Sequence, residues 1–137
     1  MGIHGAGGAQ FKGHPLSPQF QRATVHVEDR NDPATRGLPE NWSRVDEWYS
    51  FDKGPRSSGV KVLATLEERT YSPKMVWKDI RMVRRLSRHL EALRGAGPCF
   101  YSALSHAAST YQGPLQVGEL EGAIAWAAGL EGEGCGK

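Results

Sequence analysis

The sequence predicts a mixed α/β domain, on three observations. The run Val60-Lys61-Val62-Leu63-Ala64-Thr65-Leu66 is β-branched and apolar between Gly59 and Glu67, the texture of a largely buried strand. Between Met82 and Gly95, Val83, Leu86, Leu90 and Leu93 recur at spacings of three and four, with Arg84, Arg85, Arg88, Glu91 and Arg94 facing away, as in an amphipathic helix. Cys99 to Leu104 then reads as a second buried strand, and Gln116 to Ala128 as a closing helix.

The remaining elements follow in chain order. Gly2 to Gly13 is rich in glycine and carries Ala6, Ala9 and His4, which suits a tight turn where backbone approaches something closely. The alternation of Phe20, Arg22, Thr24, His26 and Glu28 against Gln21, Ala23, Val25 and Val27 predicts a strand over 21–28, ended by Asn31-Asp32-Pro33. After a connector punctuated by Pro33, Gly37 and Pro39, the aromatics Trp42, Trp48, Tyr49 and Phe51 mark a packed surface or a pocket wall. The last helix places Leu120, Ile124 and Ala127 on one face and Gly129 just past its end. A domain over 1–129 and a frayed tail over 130–137 result.

Length and composition bound the function. At 137 residues the chain has room for one domain or part of one. Seventeen Lys plus Arg against fifteen Asp plus Glu leave a net charge of +2, which marks no nucleic-acid binder. A hydrophobic fraction of 39% is low for a compact α/β domain and points to a thin or incomplete core. Cys99 and Cys135 stand apart, without a CxxC or a neighbouring His pair, so reduced thiols are expected. No run of eighteen apolar residues and no secretion signal is present, so the chain as written reads as cytoplasmic and without a membrane partner.

Three features carry chemistry. Asp46-Glu47-Trp48-Tyr49 sets adjacent carboxylates beside aromatics, the materials for an acid or base next to a stacking platform for a sugar; the bland reading is an acidic turn beside core aromatics. His4, His14 and His106 lie in three loop-like contexts, where catalytic imidazoles or ligands to a divalent metal tend to sit, although scattered histidines are more often plain surface residues. Gly5, Gly7 and Gly8 lack the spacing and the following Lys-Ser/Thr of a phosphate loop.

Several strings together resemble the ThuA-like, or trehalose-utilisation, family, whose fold is that of class I glutamine amidotransferases. They are Gly2-Ile3-His4-Gly5-Ala6, Phe11-Lys12-Gly13-His14-Pro15, Asn31-Asp32-Pro33-Ala34-Thr35 with Gly37-Leu38-Pro39, and Asp46-Glu47-Trp48-Tyr49-Ser50-Phe51. Val62-Leu63-Ala64-Thr65-Leu66, Phe100-Tyr101-Ser102-Ala103-Leu104-Ser105-His106 and Gly122 to Gly129 continue in the family's order. The resemblance implies a partial flavodoxin-like, doubly wound sheet with its site at the carboxyl ends of the strands. His4 stands at the elbow where an amidotransferase has its cysteine, so glutaminase chemistry is not expected. It further implies a hydrolase-like or carbohydrate-modifying site for trehalose or a related glycoside. There His4, Asp46 and Glu47 are catalytic, Trp48 and Tyr49 stack on the sugar, and His14 and His106 line the rim or, with His4, hold a metal.

Three departures qualify the match. The family places strands and helices before the glycine turn, whereas Met1 opens at it, so the N-terminal part of the sheet, and any export signal that would make the protein periplasmic or secreted, is expected to be missing. Gly8 runs directly into Ala9-Gln10-Phe11 where the family has an aromatic-rich segment, which implies an internal deletion. After Met82 the family expects a Gly-Asp-His-Pro turn and a strand ending in Trp; codon degeneracy permits a shifted frame over 83–98 to read Gly-Asp-Tyr-Pro-Val-Thr-Trp, so a frame change is expected there. The competing function is therefore a non-enzymatic remnant, whose exposed sheet edge and apolar surface favour self-association or a partner.

Overall fold

A computed structural model describes residues 11–52, 54, 56, 61–75, 78–79, 86–87, 89–94 and 97–132. In chain order the strands are β1 (Phe11–Gly13), β2 (Phe20–Val27), β3 (Asn41–Glu47), β4 (Ser50–Phe51), β5 (Lys61–Val62), β6 (Ala64–Leu66), β7 (Lys74–Met75), β8 (Lys78–Asp79), β9 (Leu86–Ser87), β10 (His89–Arg94) and β11 (Gly97–Ser102). Single 3-10 turns cover Glu68–Thr70 and Ala108–Gln112, and the helix α1 runs over Pro114–Ala127. The α/β class holds, with the strands in small sheets. One sheet has the order β3-β2-β6-β9, a second β11-β10-β5, and β1-β4 and β7-β8 are two-stranded ribbons. Every ladder among the described residues is antiparallel.

β2 follows its alternation. Ala23, Val25 and Val27 are buried, whereas Arg22 and His26 are exposed. Those three meet Leu38, Trp48, Phe51, Ala64, Leu66, Ala103 and Leu104 in the main core. Within the apolar stretch predicted over 60–66, the described residues 61–66 form two strands rather than one. β5 pairs with β10 and β6 with β2, and between them the Leu63 carbonyl accepts the N–H groups of Glu28 at 2.8 Å and Asp29 at 3.3 Å. The stretch thus bridges two sheets.

Where a helix is expected over 82–95, the described residues are not helical, and 82–85, 88 and 95 lie outside the described residues. Leu86–Ser87 and His89–Arg94 are strands, and β10 lies between β5 and β11, with Leu90 opposite Val62 on one side and Tyr101 on the other. Helical periodicity over so short a segment is a weak preference, whereas a helix would leave the edges of β5 and β11 without a ladder. As written, the segment takes a strand's place.

α1 matches in position and in its end, since Gly129 takes φ +71° and its N–H donates to the Trp126 carbonyl at 3.0 Å. Its buried face differs from the expected one. Ile124 and Ala127 are exposed, and Gln116, Glu119, Gly122, Ala123 and Trp126 point inward. The buried stripe is partly polar, so an apolar count selects the wrong side. A Cβ at Gly122 would come within 1.9 Å of the Pro33 carbonyl oxygen, so glycine is what allows the helix to lie against the 33–37 loop.

Candidate functional site

The C-terminal end of β3 delivers two carboxylates, and the fold gives them different work. Arg44 and Asp46 are buried on β3 while Val45 between them is exposed. Asp46 accepts the backbone N–H of Glu47 at 2.9 Å and His106 at 3.1 Å on Oδ1, and that of Ser105 at 2.7 Å on Oδ2. Arg44 Nη2 stands 2.9 Å from the same Oδ2. Four donors therefore tie Asp46 into the frame of the site. Burial pulls the Arg44 guanidinium below its ordinary basicity, and the charges of Asp46 and Glu119 oppose that effect.

Glu47 occupies the centre of a ring of polar and aromatic groups. Its Oε1 contacts Nδ1 of His14 at 2.6 Å and accepts from Gln19 Nε2 at 3.2 Å; its Oε2 contacts Nδ1 of His106 at 2.7 Å. Nδ1 of His14 also donates to the Pro15 carbonyl at 3.0 Å, and Nδ1 of His106 lies 2.8 Å from the Tyr49 hydroxyl. An unprotonated Nδ1 would set a lone pair against a carboxylate in either ring. A proton on Nδ1 would suit both contacts and leave Nε2 to exchange protons with a ligand, although the Glu47 Oε2 atom accepts no hydrogen bond of ordinary geometry among the described residues.

Aromatic rings surround this centre. Phe11 meets Tyr49 edge-on at 5.4 Å and stacks on His14 at 6.2 Å, and Phe20 meets His106 edge-on at 5.7 Å. Phe11 and Phe20 are 57% and 43% exposed, so their faces are available to a ligand. Trp48 is not. It is fully buried, its Nε1 donates to the Gln21 carbonyl at 2.8 Å, and its ring tilts against Tyr71 in the core.

Ser105 brings the His106 backbone to Asp46 through a left-handed turn, with φ 81° at a residue that has a Cβ. The Ser105 hydroxyl is buried and has no hydrogen-bond partner among the described residues. Among those residues no three His, Cys, Asp or Glu groups are placed to hold a metal ion. No helix among them is long and apolar enough to cross a membrane.

The family model for ThuA, trehalose utilisation, matches residues 3–127. The chain belongs to the ThuA family. Among solved structures, a ThuA-like protein from Bacteroides uniformis ATCC 8492 is 21% identical with a TM-score of 0.69, over 93% of this chain and 51% of that one. That likeness shows the fold, and the chain spans about half the length of that relative. No curated protein matches the chain.

Of the residues the sequence offers for a ThuA-family site, His14, Glu47, Tyr49 and His106 come together, with Asp46 directly behind them. His4 and the glycine-rich turn around it lie outside the described residues. Sequence reasoning misses Phe11, Gln19, Phe20 and Arg44 as site residues. Arg44 had a signal, since it lies two residues before Asp46 on one strand and so shares its face.

Proposed function

We propose that the protein binds trehalose or a related glycoside at the Glu47 centre and that His14 and His106 are its acid–base groups. The observation that carries this reading is a single buried carboxylate in contact with Nδ1 of two imidazoles, 2.6 and 2.7 Å away. Such a carboxylate fixes the ring tautomer and steadies the cation that forms when Nε2 takes a proton. Glu47 thus acts through the imidazoles, and Asp46 sets the position of His106. Phe11, Tyr49 and Phe20 replace Trp48 as the surfaces for a sugar ring. Glycoside cleavage by two free carboxylates is a poor match, because Asp46 has its oxygens engaged by four donors. A hydrolase-like or carbohydrate-modifying reaction led by imidazole fits better. His4 is carried over from the family resemblance alone.

Calorimetric titration of trehalose into the full chain, with glucose as the comparison, tests this. Saturable heat with trehalose is expected, with Phe11→Ala weakening binding by about 1 kcal/mol, roughly fivefold in Kd. Absence of heat with either sugar, or binding indifferent to Phe11→Ala and Glu47→Gln, would overturn it. A second reading, self-association, draws on the exposed Phe11, Leu16, Phe20, Ile124 and Leu130. Sedimentation over a range of concentrations distinguishes it.

A further inference from the structure

We propose that a buried polar chain running from α1 to the 105–106 turn positions the His106 imidazole, with Arg44 and Gln116 as its positioning residues. The inference rests on the reading of His106 as an acid–base group. Glu119 Oε2 accepts from Gln116 Nε2 at 2.7 Å, Gln116 Oε1 accepts from Arg44 Nη1, and Arg44 Nη2 meets Asp46 Oδ2 at 2.9 Å. Asp46 then holds the backbone N–H groups of Ser105 and His106. All four side chains are buried, and Arg44 also lies 4.6 Å from the Trp42 ring centroid.

Three features separate this chain from ordinary packing. First, α1 spends two buried positions on polar side chains although an apolar stripe would dock a helix as well, and buried ionic groups are seldom the most stabilising choice at such positions. Second, its far end grips the one non-glycine residue among those described with a left-handed backbone, Ser105, whose conformation persists only where its surroundings over-determine it. Third, the next residue is His106, whose ring contacts Glu47 and Tyr49. Directional bonds fix a position to tenths of an ångström where apolar contact permits sliding, and an imidazole that must share one carboxylate with a second imidazole needs that precision.

Hydrogen exchange of the full chain tests the proposal without any ligand. In Arg44→Met and in Gln116→Met, the amides of Ser105 and His106 are expected to exchange at least about tenfold faster relative to those of β2, with Arg44→Lys intermediate. The balance of Nδ1 and Nε2 protonation in the His106 ring is expected to change in the same variants. A purely structural role would accelerate all core amides in proportion. Equal acceleration across β2 and residues 105–106, or none, would overturn the proposal, and Gln116→Met decides if Arg44→Met does not fold. A wild-type chain that binds no sugar overturns the reading of the site and leaves the exchange result to be judged by itself.

Discussion

Ser105 is where backbone cost and site geometry meet. A residue with a Cβ at φ 81° carries about 1–3 kcal/mol of strain, and here its hydroxyl is buried as well. Ser105→Gly is therefore expected to raise stability by about 0.5–1 kcal/mol in urea unfolding, because relief of strain exceeds the added entropy of the unfolded chain. Ser105→Val, β-branched and unsuited to that φ, should lower it by about 2 kcal/mol. Lower stability for the glycine variant would show that the turn is not strained. At this scale much of the site is legible in the sequence, since His14, Asp46, Glu47, Tyr49 and His106 are all singled out by residue type and context. Their division of labour is not. Asp46 and Glu47 are neighbours of the same chemistry, and only the fold sends four donors to one and two imidazoles to the other.

Among the elements, the hairpin of β10 and β11 and the close seat of α1 carry the clearest consequences. Leu90→Pro would remove a ladder donor and impose φ near −65° in a strand paired on both sides, and is expected to cost about 3 kcal/mol or more. If 82–95 were a helix in solution, proline there would leave the amide exchange of β11 untouched. Gly122→Ala places a methyl group against the Pro33 carbonyl oxygen and should cost about 1–3 kcal/mol in urea unfolding; a neutral result would mean that α1 stands further from the 33–37 loop. Legibility divides here along physical lines. β2 and the end of α1 read correctly because local rules govern them, namely alternation in the one and a left-handed glycine in the other. β10 misreads because the three-and-four spacing of its apolar residues mimics a helix, whereas pairing with β11 in a hairpin and with the distant β5 sets its place; the face of α1 misreads because Gln116 and Glu119 are buried by pairing rather than by hydrophobicity.

For the molecule as a whole, the α/β class is legible from the succession of elements, and the family from strings in order along nearly the whole chain. The arrangement of strands into separate small sheets is not, because Leu63, the residue that splits 60–66, looks like any other apolar strand residue. Stability should also depend on acid through the loop that joins β2 to the rest. The Asn31 backbone N–H first, and then Lys61, hold the Asp29 carboxyl below its ordinary value. Its folded proton affinity is lower than its unfolded one, so its contribution is complete above the ordinary carboxylate range and is lost as pH falls through the folded value. Asp29→Asn is expected to be less stable than wild type at neutral pH and to lose less on acidification, followed by urea midpoints across pH. Parallel curves would remove Asp29 from the acid response.

The protons on two rings decide the arrangement at Glu47. A long-range nitrogen–proton correlation spectrum of the full chain, recorded at a pH where both imidazoles are neutral, is expected to show His14 and His106 protonated on Nδ1, with Glu47→Gln returning at least one of them to a mixture of tautomers. Rings protonated on Nε2 in the wild-type chain would contradict the assignment of Glu47 as the carboxylate that orients both.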